Sequence, residues 1–366
     1  MVSRPGRPRA RLREAKNGRK NVNNNLSRRG LLAGAATLSI FAFHRRTARA
    51  AGEPLRLRCS LDTAPSHGRN ISITDYLKKL EEASGGQIKG EVFPSGQLFP
   101  DLDVGKALIQ GQIEMAAPGS FTITGIVPNA DFLQLPILYG QPIETVHKII
   151  DGKPGAVVNA DIAQKLRSHV LGPWLDLGFQ NWYSAGKPIT SLADLKGLKI
   201  RNSGGAGQAW RARFVGAVPN TTAWPNVPLA LSQGTFDALV STNESLASAK
   251  LWDAGVKYGF EDHQFVAEYI PMVSLAFWEK LSPELQKLMT DLWAQNIPTY
   301  RANMAAAQAK ARQTLEEHGV KFADPTPQQT AAERQKMLVE QDELAKEIKV
   351  SPDLVKLVMA DVGNAS

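Results

Sequence analysis

The 366-residue chain has one cysteine, Cys59. A lone thiol excludes an internal disulfide, a cysteine zinc cluster and a C-x-x-C redox pair. In the run Leu55-Arg56-Leu57-Arg58-Cys59 it reads as a buried strand thiol. No stretch reaches the ~18 consecutive apolar residues of a membrane span. There is no glycine-rich phosphate loop ending in Lys-Ser/Thr and no G-x-S-x-G elbow. The histidines after residue 50 are His67, His147, His169, His263 and His318, and none stands at a metal-ligand spacing from another. Paired acids such as Glu81-Glu82 belong to a solvated helix face. Nucleotide, metal and nucleophilic chemistry therefore lack a motif. The chain is not expected to be an enzyme, and no cofactor or metal is expected.

A basic surface is also missing beyond the N-terminus. The formal charge is +8 and the pI near 9.5, but residues 1–50 hold thirteen Lys/Arg and a single acid, Glu14. The remainder carries a net −4, which removes the argument for a nucleic-acid partner. The basic segment reads instead as an export signal. Ser27-Arg28-Arg29-Gly30-Leu31-Leu32 leads into an apolar run, Leu31 to Phe43, and then Ala48-Arg49-Ala50, a small-x-small cleavage pattern. The Arg28-Arg29 pair resembles a twin-arginine signal, and Arg45, Arg46 and Arg49 after the run fit that route. The expectation is a periplasmic protein cleaved after Ala50.

Apolar residues make up 43% of the chain, enough for a full core. Strands are predicted over Leu55–Leu61, Gln87–Phe93, Ile113–Ala117, Val170–Leu177, Trp182–Ala185, Leu198–Arg201 and Phe236–Ser241, separated by helical patterns. That alternation predicts an α/β fold of mostly parallel strands. A strand over Tyr269–Phe277 is expected to return to the first lobe. Ser282-Pro283-Glu284 opens a helical pattern that continues to Glu317. At 1.5 Å per residue a helix of about 35 residues is roughly 50 Å long, longer than one lobe, and Pro298 should kink it.

The binding features are stronger than the catalytic ones. In Ser191-Leu192-Ala193-Asp194-Leu195-Lys196-Gly197-Leu198-Lys199-Ile200-Arg201, a capped turn precedes a short apolar strand that ends on arginine. A guanidinium offers a flat five-donor fork suited to a carboxylate. The C-terminal edge of an open α/β sheet is where ligands bind. Trp182, Trp210 and Trp224 are expected near that cleft, with Trp224 the one facing a ligand. The polar run Ser241-Thr242-Asn243-Glu244 follows another strand end. Ser203-Gly204-Gly205-Ala206-Gly207 reads as a tight turn before a helix, where an anion could also be held.

These residues resemble the solute-binding proteins of tripartite ATP-independent periplasmic (TRAP) transporters. The likeness covers about residues 55–320. It is most specific in Gly85–Leu98, Phe132–Leu138, Ser191–Arg201 and Ala230–Ala238. The resemblance implies two α/β lobes with a cleft between them and a long C-terminal helix spanning both. The lobes are expected at 51–178 plus 268–300 and at 179–267 plus 301–366. It implies that Arg201 salt-bridges a ligand carboxylate. Asn181 stands where the sialic-acid branch carries a second basic residue. Ser241, Thr242 or Asn243 replaces the usual asparagine, and first-lobe loops supply Asp62, His67, Gln97 and Ser120. The expected ligand is a monocarboxylate: a 2-hydroxy, 2-oxo or aromatic acid, captured by lobe closure and handed to a membrane permease. The alternatives are a twin-arginine-exported periplasmic enzyme and a ligand-sensing partner of a signalling receptor.

Overall fold

A computed structural model describes residues 53–363; the expected export signal and cleavage position lie outside them. The first strand, β1 (Leu55–Ser60), buries Leu57 and Cys59 completely and alternates as a strand must. Helix α1 (Gly68–Ala83) is opened by His67, whose side chain accepts the Arg69 backbone N–H. It is closed by Gly85 and Gly86 in the left-handed region, at φ 62° and 77°. Then follow β2 (Ile88–Phe93), α2 (Asp101–Ile109) and β3 (Met115–Ala116). After 3-10 turns over Ser120–Thr122 and Pro128–Gln134 come α3 (Ile143–Ile150), α4 (Lys153–Lys165) and β4 (Ser168–Val170).

The next strand departs from expectation. Instead of two pieces, Val170–Leu177 and Trp182–Ala185, the chain forms one strand, β5 (Leu175–Ser184). All its residues but Phe179 are buried, so no polar alternation marks its ends. Beyond it lie β6 (Lys199–Asn202), α5 (Ala206–Phe214), β7 (Val218–Thr221), α6 (Val227–Ser232), β8 (Ala238–Ser241) and α7 (Asn243–Ser248). The last of these was expected only as a polar run.

Strand β9 (Tyr258–Tyr269) was not foreseen, because Glu261, Asp262, His263 and Glu268 make it read as a polar segment. Burial of Asp262 is made tolerable by 2.8 Å hydrogen bonds from Tyr139 Oη and Trp182 Nε1. The strand expected at Tyr269–Phe277 resolves into β10 (Met272–Ser274) and a short helix, α8 (Leu275–Trp278), capped by the Ser274 hydroxyl. Helix α9 (Pro283–Glu317) runs 35 residues without interruption, through Pro298. The chain ends with β11 (Lys321–Ala323), α10 (Pro327–Leu338), α11 (Gln341–Glu347) and α12 (Pro352–Gly363).

The strands form two sheets. One has the order β2-β1-β3-β10-β4, the other β11-β9-β5-β8-β6-β7. In the first, β1 is parallel to β2 and β3, and β10 is antiparallel to its neighbours. The centre of the second is antiparallel, β5 against both β8 and β9, with β6 parallel to β7 and β8. The lobe boundaries expected at 178/179 and 267/268 fall inside β5 and β9, which pair with one another from Leu175↔Tyr269 to Ser184↔Tyr258. Register shifts interrupt that pairing between Asp176 and Gly178 and between Gln180 and Trp182.

Helix α9 touches helices attached to both sheets. Against α1 it sets Trp293 edge-on to Tyr76 at 5.3 Å, and Tyr76 Oη donates to the Met289 carbonyl at 3.0 Å. Against α7, Gln308 Oε1 accepts the Glu244 backbone N–H at 2.9 Å, while its Nε2 donates to the Leu177 carbonyl of β5 at 2.7 Å. Trp293, Met289 and Leu315 are fully buried along it, each burial worth about 1.5–3 kcal/mol.

Candidate functional site

A cleft between the two sheets holds about 430 Å³ of space free of protein atoms, part of it continuous with solvent. One wall comes from the segments after β1 and β3 and from the start of α2: Asp62, Thr63, Asp101, Leu102, Phe121 and Thr122. The other comes from β6 and its following turn, the segment after β7, the end of β8, and α7: Arg201, Ser203, Ala223, Trp224, Ser241 and Ser245. Leu177 and Gln180 of β5 and Tyr269 of β9 close the base.

Arg201 is only 2% exposed and is the third residue of β6, not the last. Its guanidinium is held by neutral acceptors alone. Nε and Nη2 donate to the Thr222 carbonyl at 3.0 and 2.9 Å, and Nη1 donates to Ser203 Oγ at 2.8 Å. Its central carbon lies 5.3 Å from the Trp224 ring, within cation–π range. No carboxylate of the described residues forms an ion pair with it. Burial pulls its pKa down to about 10, against the upward pull of Asp62 and Tyr269. The group is charged at neutral pH, enclosed and without a counter-ion, a costly state in the absence of an anion.

Arg69, in the first turn of α1, is the opposite case and was not anticipated. Its five N–H groups meet Thr63 Oγ1 twice, the Ala117 carbonyl, Asp101 Oδ2 at 2.7 Å and Asp62 Oδ1 at 2.6 Å. Its guanidinium also lies 4.1 Å from the Tyr269 ring. Burial alone would lower its pKa, but the charges of Asp101, Tyr269 and Asp62 outweigh that and raise it. Arg69 thus fixes the acidic wall and keeps no donor for a ligand. Two buried polar atoms on the lining residues have no partner: Gln180 Nε2 and Asp101 Oδ1.

Of the residues expected at the site, Arg201, Trp224, Ser241 and Asp62 line the cleft. Asn181 does not: it lines a separate groove with Asn243, His263 and Gln308, and its Oδ1 accepts the His263 N–H at 3.0 Å. Gln180, one residue earlier, faces the cleft. Asn243 accepts the Tyr183 hydroxyl at 2.7 Å and donates to Glu261. His67 is fully buried, with Nε2 2.7 Å from Glu244 Oε2 and 3.1 Å from Ser245 Oγ. Because His67 Nδ1 accepts the Arg69 N–H, the ring proton belongs on Nε2, which is hydrogen-bonded to Ser245 Oγ and close to Glu244 Oε2. Ser120 is buried beside the lining residues Phe121 and Thr122, and Gln97 is exposed. Trp182 and Trp210 belong to the core rather than the cleft.

The glycine-rich turn before α5 holds an anion of the protein itself. Asp131 Oδ2 accepts the Gly207 N–H at 2.9 Å, while Gly205 sits at φ 79° with space that a Cβ would fill against Asp131 Oδ1 at 3.0 Å. Glu244 does the same for α1, its Oε1 accepting the Gly68 N–H at 2.9 Å. Helices α1 and α5 thus each start on a carboxylate from a segment that follows a strand of the other sheet.

Residues 62–347 match the family described as bacterial extracellular solute-binding protein, family 7. The C4-dicarboxylate-binding periplasmic protein DctP of Rhodobacter capsulatus is 26% identical over 322 residues, spanning 87% of this chain and 94% of that protein. The 2,3-diketo-L-gulonate-binding periplasmic protein YiaO of Escherichia coli K12 is 26% identical over 303 residues, spanning 82% and 90%. Among solved structures, the sugar acid binding protein of Advenella mimigardefordensis in complex with galactonate aligns with a TM-score of 0.80 at 19% identity, over 86% of this chain and 99% of that one. A TRAP periplasmic solute binding protein from Desulfovibrio salexigens with bound orotic acid aligns at 0.79 and 20% identity, over 85% and 99%. Those likenesses establish the fold, and the family match covers most of the chain. The chain belongs to extracellular solute-binding protein family 7: it is a TRAP-type extracytoplasmic binding protein, not an enzyme.

Proposed function

We propose that this chain captures an organic monocarboxylate that carries a hydroxyl group and an apolar or aromatic body. The observation that carries the reading is the enclosed guanidinium of Arg201 with no carboxylate of its own. A ligand carboxylate supplies the missing anion, and a charge-assisted bond of this kind contributes about 1.5–3 kcal/mol. Gln180 Nε2 offers a second donor. Arg69 has every donor engaged, so a second ligand carboxylate finds no second cation on the lining. This favours one acid group. Asp101 Oδ1 can pair with a ligand hydroxyl in either protonation state, as acceptor or donor. Trp224, Phe121, Leu102 and Leu177 suit an apolar body.

Capture proceeds by closure of two lobes, 51–178 plus 268–300 against 179–267 plus 301–366, with bending at β5 and β9. Gly178 supports this reading, with φ 108° beside a register shift. The loaded protein then docks on a membrane permease. Export follows a twin-arginine-like signal cleaved after Ala50. Calorimetry of purified protein against a panel of hydroxy monocarboxylates, dicarboxylates, neutral sugars and polyamines tests the ligand class. Binding of hydroxy acids is expected; hits confined to sugars or polyamines sink the reading.

A further inference from the structure

A second polar cluster lies outside the cleft lining, on the chain neighbours of the lining residues Leu177 and Tyr269. Asp176 and Glu268 are register partners on those strands. Glu268 is fully buried, and neither of its carboxylate oxygens has a hydrogen-bond partner. From α3, His147 brings Nε2 to 2.8 Å from Asp176 Oδ1. One ligand atom each from His147, Asp176 and Glu268 lies within 4.8 Å of the other two.

The nearest cation does not balance this group. Arg301 of α9 grips Asp151 with two bonds, at 2.6 and 2.9 Å, and donates Nε to the Trp174 carbonyl at 2.9 Å. It reaches Asp176 only at 3.5 Å. Asp151, Asp176 and Glu268 bring three carboxyl groups to one guanidinium, and of the three only Glu268 has no polar partner.

We propose that His147, Asp176 and Glu268 bind a divalent first-row metal ion, zinc or manganese. One imidazole and two carboxylates form a borderline donor set that such ions accept, whereas calcium and magnesium favour shells of oxygen alone. The ion supplies the partner that the buried Glu268 carboxyl group lacks. Bonds of about 2.0–2.2 Å hold tetrahedral ligand atoms roughly 3.4 Å apart, so His147 Nε2 and Asp176 Oδ1, now at 2.8 Å, would open slightly to admit the ion, a change that side-chain rotation can deliver. Asp176 also lines the groove shared by Asn181 and His263, which gives the ion a route from solvent separate from the cleft. Bound there, it ties α3 to both strands that link the sheets and stiffens their root, without touching the organic acid.

Chelator-treated protein is titrated with Zn²⁺ and with Mn²⁺, following the melting temperature and, after gel filtration, the metal content by mass spectrometry. The wild-type protein should retain one of these ions and melt higher with it. His147→Ala should lose that rise, and Glu268→Gln should weaken retention at least about tenfold. His147 is partly exposed, so its alanine variant is expected to fold, and circular dichroism without metal checks both variants. Failure of the wild type to retain either ion overturns the proposal, as does equal retention by both variants. A wild type indifferent to both ions, with Glu268→Gln melting higher than it, identifies instead a proton shared between Asp176 and Glu268. Organic-acid binding is measured separately and bears on none of these outcomes.

Discussion

Arg69 and Arg201 are both enclosed arginines, yet Arg69 holds two carboxylates within 2.7 Å and Arg201 holds none. The same side chain therefore does opposite work on the two walls of the cleft. One is a structural strut, the other an unanswered charge.

Replacing Arg201 should separate binding from stability. Arg201→Met is expected to lower organic-acid affinity at least about tenfold, the equivalent of a lost charge-assisted bond. It should leave the ligand-free melting temperature unchanged or raised, because it removes an unpaired buried charge. Arg201→Lys should also weaken binding, since the planar fork is lost. Calorimetry and thermal melts read the two effects separately; wild-type affinity in either variant removes Arg201 from the site.

Replacing Arg69 should do the reverse. Arg69→Met strands Asp62 and Asp101 in the interior, a loss of about 3–5 kcal/mol, seen as an earlier urea midpoint. Adding Asp62→Asn and Asp101→Asn should recover part of it. A single variant as stable as wild type contradicts the assigned role.

Adjacent residues on β5 should behave differently. Gln180→Ala is expected to weaken binding by about 1.5–3 kcal/mol, the range for a hydrogen bond to a charged group. Asn181→Ala should spare affinity and cost about 1 kcal/mol of stability, because its carbonyl oxygen braces the His263 N–H. Equal affinity losses in the two variants argue against the orientation of this strand.

Asp131 gives a pH signature. Burial pushes its carboxyl up to about 7 from an ordinary 3.8, against the downward pull of the Gly207 N–H and Arg211. A raised acid binds its proton more tightly in the folded state, so its contribution to stability is largest near pH 4 and declines toward pH 7. Asp131→Asn removes that decline, and the variant should gain on wild type as pH rises across this window. Parallel urea midpoints for the two proteins from pH 4 to 8 would exclude the effect.

Much of this molecule was readable from its residues. The capped turn at Ser191–Asp194, the strand through Arg201 and the long helix announced by Ser282-Pro283-Glu284 all carry local signals, and all are present. What was hidden depends on distant partners. Strand β9 looks polar until Tyr139 and Trp182 are brought to Asp262. Gln180 could not be told from Asn181 because the register shifts at Asp176/Gly178 and Gln180/Trp182 break the two-residue period of side chains. Arg69 offered a weaker clue, the polar His67-Gly68-Arg69-Asn70 at the head of an otherwise amphipathic helix. His147, Asp176 and Glu268 are too far apart in sequence for any spacing to connect them.

The exchanged helix caps have a further consequence. Glu244 terminates α1 and Asp131 terminates α5, each reaching across from the other sheet's side. A clasp made this way lets go as a unit. In the lobe closure proposed above, parting the two sides would take each of these helix starts from its carboxylate, and water would have to replace both bonds.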